Sequence, residues 1–256
     1  MGITISFGLQ KGGVGKTTTT AITSYLLSKK NKVLAVDFDS QGNLTSFLTQ
    51  KNIYDFTNKT VLEAIKEKNP FPYIYKITDN LHIIPAEDRL ATFSRYLYTE
   101  YKGNPTQLLK ETIEPIKEQY DYILIDLPPN LGDQTINGLT ASDYSVVLLQ
   151  SEPFAYDALD RYIETLQLVQ ERINSNLKLA GILMTMLDSR TTLDLSILEQ
   201  AKEDYEDIVF ESIIKRRSKI KEFVLTGIQD GTRTEQEILL PYMNFVKELR
   251  KRVSSK

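Results

Sequence analysis

The 256-residue chain contains no cysteine and no tryptophan, and its single histidine is His82. Without cysteine there is no disulfide, no thiolate zinc site, no iron–sulfur cluster and no cysteine nucleophile. One histidine excludes a histidine-rich metal centre, and His82, beside Ile83 and Ile84, reads as structural. Strong charge of one sign is also lacking. Thirty-one basic residues face 34 acidic ones, a net charge of −3, so nucleic-acid binding would need a local patch. No apolar run approaches the ~18–20 residues that span a bilayer. Residues 3–9 are apolar with no basic region before them, which argues against a signal peptide and for a cytoplasmic protein. Apolar residues make up 41% and charged residues 25%, as expected of a globular chain long enough to bury a core.

Short runs rich in Val, Ile and Leu punctuate the sequence at 3–9, 33–38, 81–85, 122–126, 145–149, 179–186 and 209–214. Each has the length and composition of a strand buried on both faces. Helical patterns lie between them. Leu159, Ile163, Leu166, Val169 and Ile173 recur every three or four residues and make one apolar stripe. The alternation predicts an α/β fold, a mostly parallel twisted sheet with helices on both faces, in a single domain over 1–256. Residues 51–76, with Pro70 and Pro72, are the least regular and are expected to form a surface excursion.

Directly after the first run comes Gln10-Lys11-Gly12-Gly13-Val14-Gly15-Lys16-Thr17-Thr18, and a helical pattern follows. Strand, glycine loop, Gly-Lys-Thr and helix form a phosphate-binding arrangement. Glycines let the backbone curl so that its N–H groups converge on an anion, and the helix N-terminus adds partial positive charge. In such a loop Lys16 reaches the β- and γ-phosphates of a nucleotide and the Thr17 hydroxyl ligates Mg²⁺. The loop is unusual at its front, where Gln10 replaces the expected glycine and a second lysine, Lys11, is present.

Two more acidic stations follow. Asp37 and Asp39 end an apolar run, where open α/β sheets place ligands, and the strand period of two puts both on one side. Asp126 ends the run 122–126 in the Walker B pattern and is expected to hold Mg²⁺, with Pro128 and Pro129 stopping the strand.

The two-lysine loop, the segment Asp37-Phe38-Asp39-Ser40-Gln41-Gly42-Asn43 and the Asp126 station resemble the ParA/Soj/MinD family of deviant P-loop ATPases, most closely its ParA/Soj partition branch. The resemblance runs from Ile3 to about Val253 and takes in residues 150–155 and 183–191. It implies an ATPase with weak intrinsic, partner-stimulated activity, using ATP and Mg²⁺. Lys11 would reach the nucleotide of a partner subunit across a homodimer. Asp39 would orient the attacking water, and Asp37 would support Mg²⁺ and the lysine network. Ser40 departs from the family's proline at that position. No helix-turn-helix segment is seen before the loop, so site-specific repression is not expected.

The branch also implies sequence-tolerant binding of double-stranded DNA, a nucleoid location and a ParB-like centromere-binding partner. Local charge agrees. Residues 215–221 hold five cations in seven positions, whereas 199–211 hold six carboxylates and one lysine. Candidate DNA contacts are Arg190, Arg216, Arg217, Lys219 and Lys221. The alternative is a MinD-like membrane-positioning ATPase, because 240–253 is amphipathic. A final helix packed on the sheet is preferred, with no stable membrane binding.

Overall fold

The computed structural model describes residues 2–150, 155–187, 192–217 and 219–254. Among these described residues eight strands form one sheet. They are β1 (Ile3–Gly8), β2 (Val33–Asp37), β3 (Tyr75–Lys76), β4 (Leu81–Ile84), β5 (Tyr122–Asp126), β6 (Tyr144–Gln150), β7 (Lys178–Leu187) and β8 (Val209–Lys215). Their spatial order is β3-β4-β2-β5-β1-β6-β7-β8. Every neighbouring pair is parallel except the edge pair β3–β4. All seven apolar runs become strands. The central strands are fully covered, with every residue of β2 and β5 buried, which is why they read as unbroken apolar runs.

Among the described residues ten α-helices lie between the strands or follow the last of them. They are α1 (Lys16–Ser28), α2 (Asn43–Thr49), α3 (Val61–Glu67), α4 (Phe93–Thr99), α5 (Leu108–Ile113), α6 (Asp133–Ala141), α7 (Ala155–Arg172), α8 (Thr192–Tyr205), α9 (Ile220–Thr226) and α10 (Arg233–Ser254). The apolar stripe of α7 buries Leu159, Leu166 and Val169, with Ile163 partly covered. Tyr162 joins them. A side chain at Gly8 would collide with its ring, so glycine there lets α7 close onto β1. Asn174 pins the end of α6 by donating to the carbonyls of Thr140 and Ser142 at 3.0 and 2.8 Å.

The expectation of an irregular excursion over 51–76 is corrected. This stretch contains α3, whose Val61, Leu62, Ala64 and Ile65 are buried, and the edge strand β3. A capping box starts α3: the Thr60 side chain accepts from the helix backbone and Glu63 reaches back to the Thr60 N–H. Thr-x-x-Glu before an apolar run was the available signal, masked by the two prolines.

The last helix packs on the sheet, as preferred. It begins at Arg233 rather than near Leu240 and carries Pro241 within it. Tyr242, Phe245, Leu249 and Val253 are buried, and Phe245 meets Phe7 and Phe210 edge to face. Burying each such side chain contributes about 1.5–3 kcal/mol. No helix among the described residues is long and apolar enough to cross a membrane.

Candidate functional site

Adjacency of β2, β5 and β1 decides where the site lies. Their carboxyl ends carry Asp37, Asp126 and the glycine loop, and the register sets Asp37 opposite Asp126 and Phe7 opposite Asp126. The three stations, far apart in sequence, therefore share one edge of the sheet.

The loop turns on two glycines with left-handed backbone, Gly13 (φ 79°) and Gly15 (φ 85°). Gly15 precedes the first residue of α1, and no acidic side chain occupies that first turn, so its N–H groups keep their partial positive charge. At Gly12 and Gly13 an added Cβ would meet no protein atom within 4 Å. The loop thus presents bare backbone to open space. Gln10 brings a buried side-chain oxygen with no protein partner to the front of the loop.

Lys16 is buried, and its ammonium donates to the Lys11 carbonyl at 2.7 Å. Burial pushes its pKa below the usual lysine value, against the opposing charges of Asp126 and Asp39. Thr17 Oγ1 donates to Asp126 Oδ2 at 2.6 Å, and Thr20 Oγ1 reaches Asp126 Oδ1 at 3.3 Å. Burial, reinforced by the charge of Asp37, pushes the Asp126 carboxyl up to about 8, although the Thr17 bond and Lys16 pull the other way. A hydroxyl and a carboxylate in contact are hard oxygen donors of the type Mg²⁺ takes, alongside phosphate and water oxygens. Among the described residues no group of three or more His, Asp or Glu side chains forms an all-protein cage. The donor set and the open glycine cradle together fit a Mg²⁺–nucleotide.

Asp37 and Asp39 part ways. The expectation that both project from one side of a strand fails because β2 stops at Asp37 and the chain bends. Asp37 is fully buried and accepts from Thr45 N and Thr45 Oγ1 at 2.8 and 2.7 Å, and from Asp39 N at 3.3 Å. Its carboxylate is thus held by the start of α2, while its charge acts on Asp126. Burial raises its pKa to about 7, opposed by the Thr45 bonds. Asp39 is half-buried and accepts from Gln41 N at 3.0 Å, and Gly42 (φ 61°) then turns the chain into α2.

One supporting residue escaped the sequence reading. Thr185 on β7 donates to the Val14 carbonyl at 2.7 Å, tying the loop to a strand 171 residues away. A lone hydroxyl inside an apolar run was its only signal. His82 lies elsewhere: its Nδ1 meets the Tyr120 hydroxyl at 2.8 Å, edge to face with that ring.

The candidate DNA contacts lie partly in view. Arg216, Arg217 and Lys221 are exposed, and Lys219 is half-buried. They follow the carboxyl end of β8, on the same sheet edge as the glycine loop. The acidic stretch closes α8 and runs into the start of β8, toward the opposite edge. Arg190 and residues 151–154 of the family-like segment lie outside the described residues. Gln50, which ends α2, donates to the Val224 carbonyl of α9 at 3.3 Å, so the helix after the basic segment contacts the helix that follows Asp39.

Comparison with known proteins bears on this geometry. Residues 2–179 match the family model of an AAA domain. The chain is 38% identical over 231 residues to the sporulation initiation inhibitor protein Soj of Bacillus subtilis, with 87% of each chain covered. It is 35% identical over 225 residues to the chromosome partitioning protein ParA of Myxococcus xanthus, covering 87% of this chain and 78% of that one. Among solved structures, cobyrinic acid a,c-diamide synthase of Mycobacterium smegmatis with a bound ATP analogue and magnesium superposes with a TM-score of 0.85. It is 30% identical, with 100% of this chain and 96% of that one covered. With its two-lysine loop above a Thr17–Asp126 pair and its similarity to Soj and ParA over most of its length, the chain belongs to the ParA/Soj family of partition ATPases.

Proposed function

We propose that the protein is a Mg²⁺-ATP-driven dimerisation switch that binds DNA without sequence preference and moves a plasmid or chromosome with a ParB-like partner. The observation that carries this reading is the contact of Thr17 with Asp126 beneath an open glycine cradle, with Lys16 alongside. Backbone N–H groups of the loop and of the first turn of α1 hold the phosphates. Lys16 gives up the Lys11 carbonyl for the β- and γ-phosphate oxygens. Thr17 and Asp126 hold Mg²⁺, which supplies charge neutralisation of the phosphates when bound.

Asp39 holds the attacking water. Its half-buried carboxylate keeps access to solvent, and a positioned water suffices because phosphoryl transfer depends on alignment and charge more than on strong base chemistry. Asp37 supports it from beneath by anchoring α2 through Thr45. Lys11 contacts the nucleotide of the second subunit, making ATP a condition for the dimer. Dimerisation brings two copies of Arg190, Arg216, Arg217, Lys219 and Lys221 into one surface for phosphate contacts. A basic segment of the ParB-like partner completes the site as an arginine finger does and accelerates an otherwise slow hydrolysis. The setting is the nucleoid in the cytoplasm. A membrane-positioning role draws little support from α10, whose apolar face is largely spent on the sheet.

The experiment is DNA retention with ATP, with ADP and without nucleotide, read beside dimerisation by light scattering. Retention and dimerisation should both require ATP. DNA retention independent of nucleotide, or an ATP dimer that pellets with anionic vesicles and ignores DNA, would overturn the reading.

A further inference from the structure

A groove of about 1030 Å³ lies away from the nucleotide site, between α1 and α10. Lys16 begins α1 at the glycine loop, and the groove lines its far end, about 20 Å away at 1.5 Å per residue. Leu26, Leu240, Met243 and Val246 make an apolar floor, in which Leu240 and Met243 remain half exposed at 52% and 50%. The sheet-facing residues of α10 are buried, so this strip is what its apolar surface leaves over.

The rim has a definite sign. Six lysine and arginine side chains line it against two carboxylates. Both carboxylates are in ion pairs, Asp230 with Lys29 at 2.9 Å and Glu237 with Arg233 at 3.1 Å. The lining therefore carries an excess of positive charge, to which the exposed Lys30, Lys247 and Arg250 contribute. Along α10 the outer face runs Leu240, Met243, Lys247 and Arg250 at steps of three and four, apolar for one turn and then basic for the next.

We propose that this groove is the docking site for an acidic amphipathic helix of a partner protein. Apolar side chains of such a helix, spaced by three and four residues, would enter between α1 and α10, while its carboxylates meet Lys30, Lys247 and Arg250. The apolar strip is recessed between two helices rather than projecting as an edge, which suits an inserted helix better than a flat lipid surface. DNA needs the cations but not the floor. The partner meant here is acidic, unlike the basic segment assigned above to the ParB-like stimulator.

The test uses the full chain and a fluorescent synthetic peptide of about 18 residues with leucines at helical spacing and glutamates elsewhere. A scrambled peptide of the same composition and vesicles of equal phosphatidylglycerol and phosphatidylcholine are the controls. The ordered peptide should bind, the scrambled one should not, and Leu240→Ser with Met243→Ser should weaken binding about tenfold. ATP turnover and melting temperature of that variant report whether the fold is intact, since both positions are half exposed. Equal affinity in the variant, equal binding of the scrambled peptide, no binding of the ordered peptide, or binding to the vesicles alone would each overturn the proposal.

Discussion

The ammonium of Lys16 donates to the backbone carbonyl of Lys11 at 2.7 Å, so the two lysines of the loop are joined directly, one through its side chain and the other through its backbone. Their side chains are assigned different work. Lys16→Ala removes the buried cation and should abolish nucleotide binding, since each charge-assisted bond to phosphate is worth about 1.5–3 kcal/mol. Lys11→Ala keeps the carbonyl and the loop, and should keep ATP binding while losing the ATP dimer. Fluorescent-nucleotide titration and light scattering on both variants check this. A normal ATP dimer in the Lys11 variant would remove its cross-subunit role.

Asp39 is separable from Asp37 because the strand ends between them. Asp39→Ala leaves the Thr45 bonds of Asp37 in place, so α2 should stay anchored while the water loses its holder. Turnover should fall by about two orders of magnitude or more, within the range for a positioned acid–base group. The ATP-bound dimer should persist on DNA. Undiminished phosphate release would take Asp39 out of the mechanism.

Thr185 tests whether the loop is held from β7. Thr185→Val keeps shape and removes the donor, leaving the buried Val14 carbonyl short of a partner at a cost of about 1–3 kcal/mol. The penalty falls on the loop, so KM for ATP should rise more than kcat falls. A drop in melting temperature with an unchanged KM would make Thr185 a general packing residue.

Which of these features the sequence disclosed follows from how local each signal is. Glycine spacing, Gly-Lys-Thr and an acid ending an apolar run are short-range patterns, so Lys16, Thr17 and Asp126 were legible, as were the seven buried strands. Thr185 was not, because its importance comes from a strand crossing that no window of residues contains. The bonding of Asp37 was not legible for a related reason. Strand period holds only while the strand lasts; β2 stops at Asp37, whose carboxylate accepts from Thr45, eight residues on. The helix α3 was hidden by Pro70 and Pro72, which lie just beyond it and drew attention from its capping box.

The two buried carboxylates make stability depend on pH in an uncommon direction. Asp126 and Asp37 titrate in the folded chain near about 8 and about 7, raised from an ordinary value of 3.8. Between those values the folded state binds more protons than the unfolded one, so stability falls as pH rises. Their contribution is fully present below 3.8 and is lost as pH climbs through 7 to 8. In EDTA the melting temperature should therefore decline across this window. Mg²⁺ with ATP should flatten the decline by binding the ionised form. Asp126→Asn should flatten it without metal, and a slope identical to the parent would show that Asp126 does not titrate there.

The basic segment after β8 gives the last test, and its placement determines what to expect. Arg216 and Arg217 are exposed on the same sheet edge as the nucleotide loop, and α9 behind them rests on α2 through Gln50. Reversing their charge should weaken DNA retention at every sequence alike, because phosphate contacts carry no base information. The salt dependence should become shallower by about one unit of slope per lost contact. Dimerisation by ATP should survive, since neither arginine is part of the glycine loop. Gln50→Ala gives the complementary outcome. It leaves every cation in place but cuts the bond to the Val224 carbonyl, so intrinsic DNA affinity of the ATP dimer should hold while the stimulation of hydrolysis by DNA falls. If Gln50→Ala hydrolyses ATP with full DNA stimulation, the α2–α9 contact is packing alone, and communication between the two functions must run through the dimer.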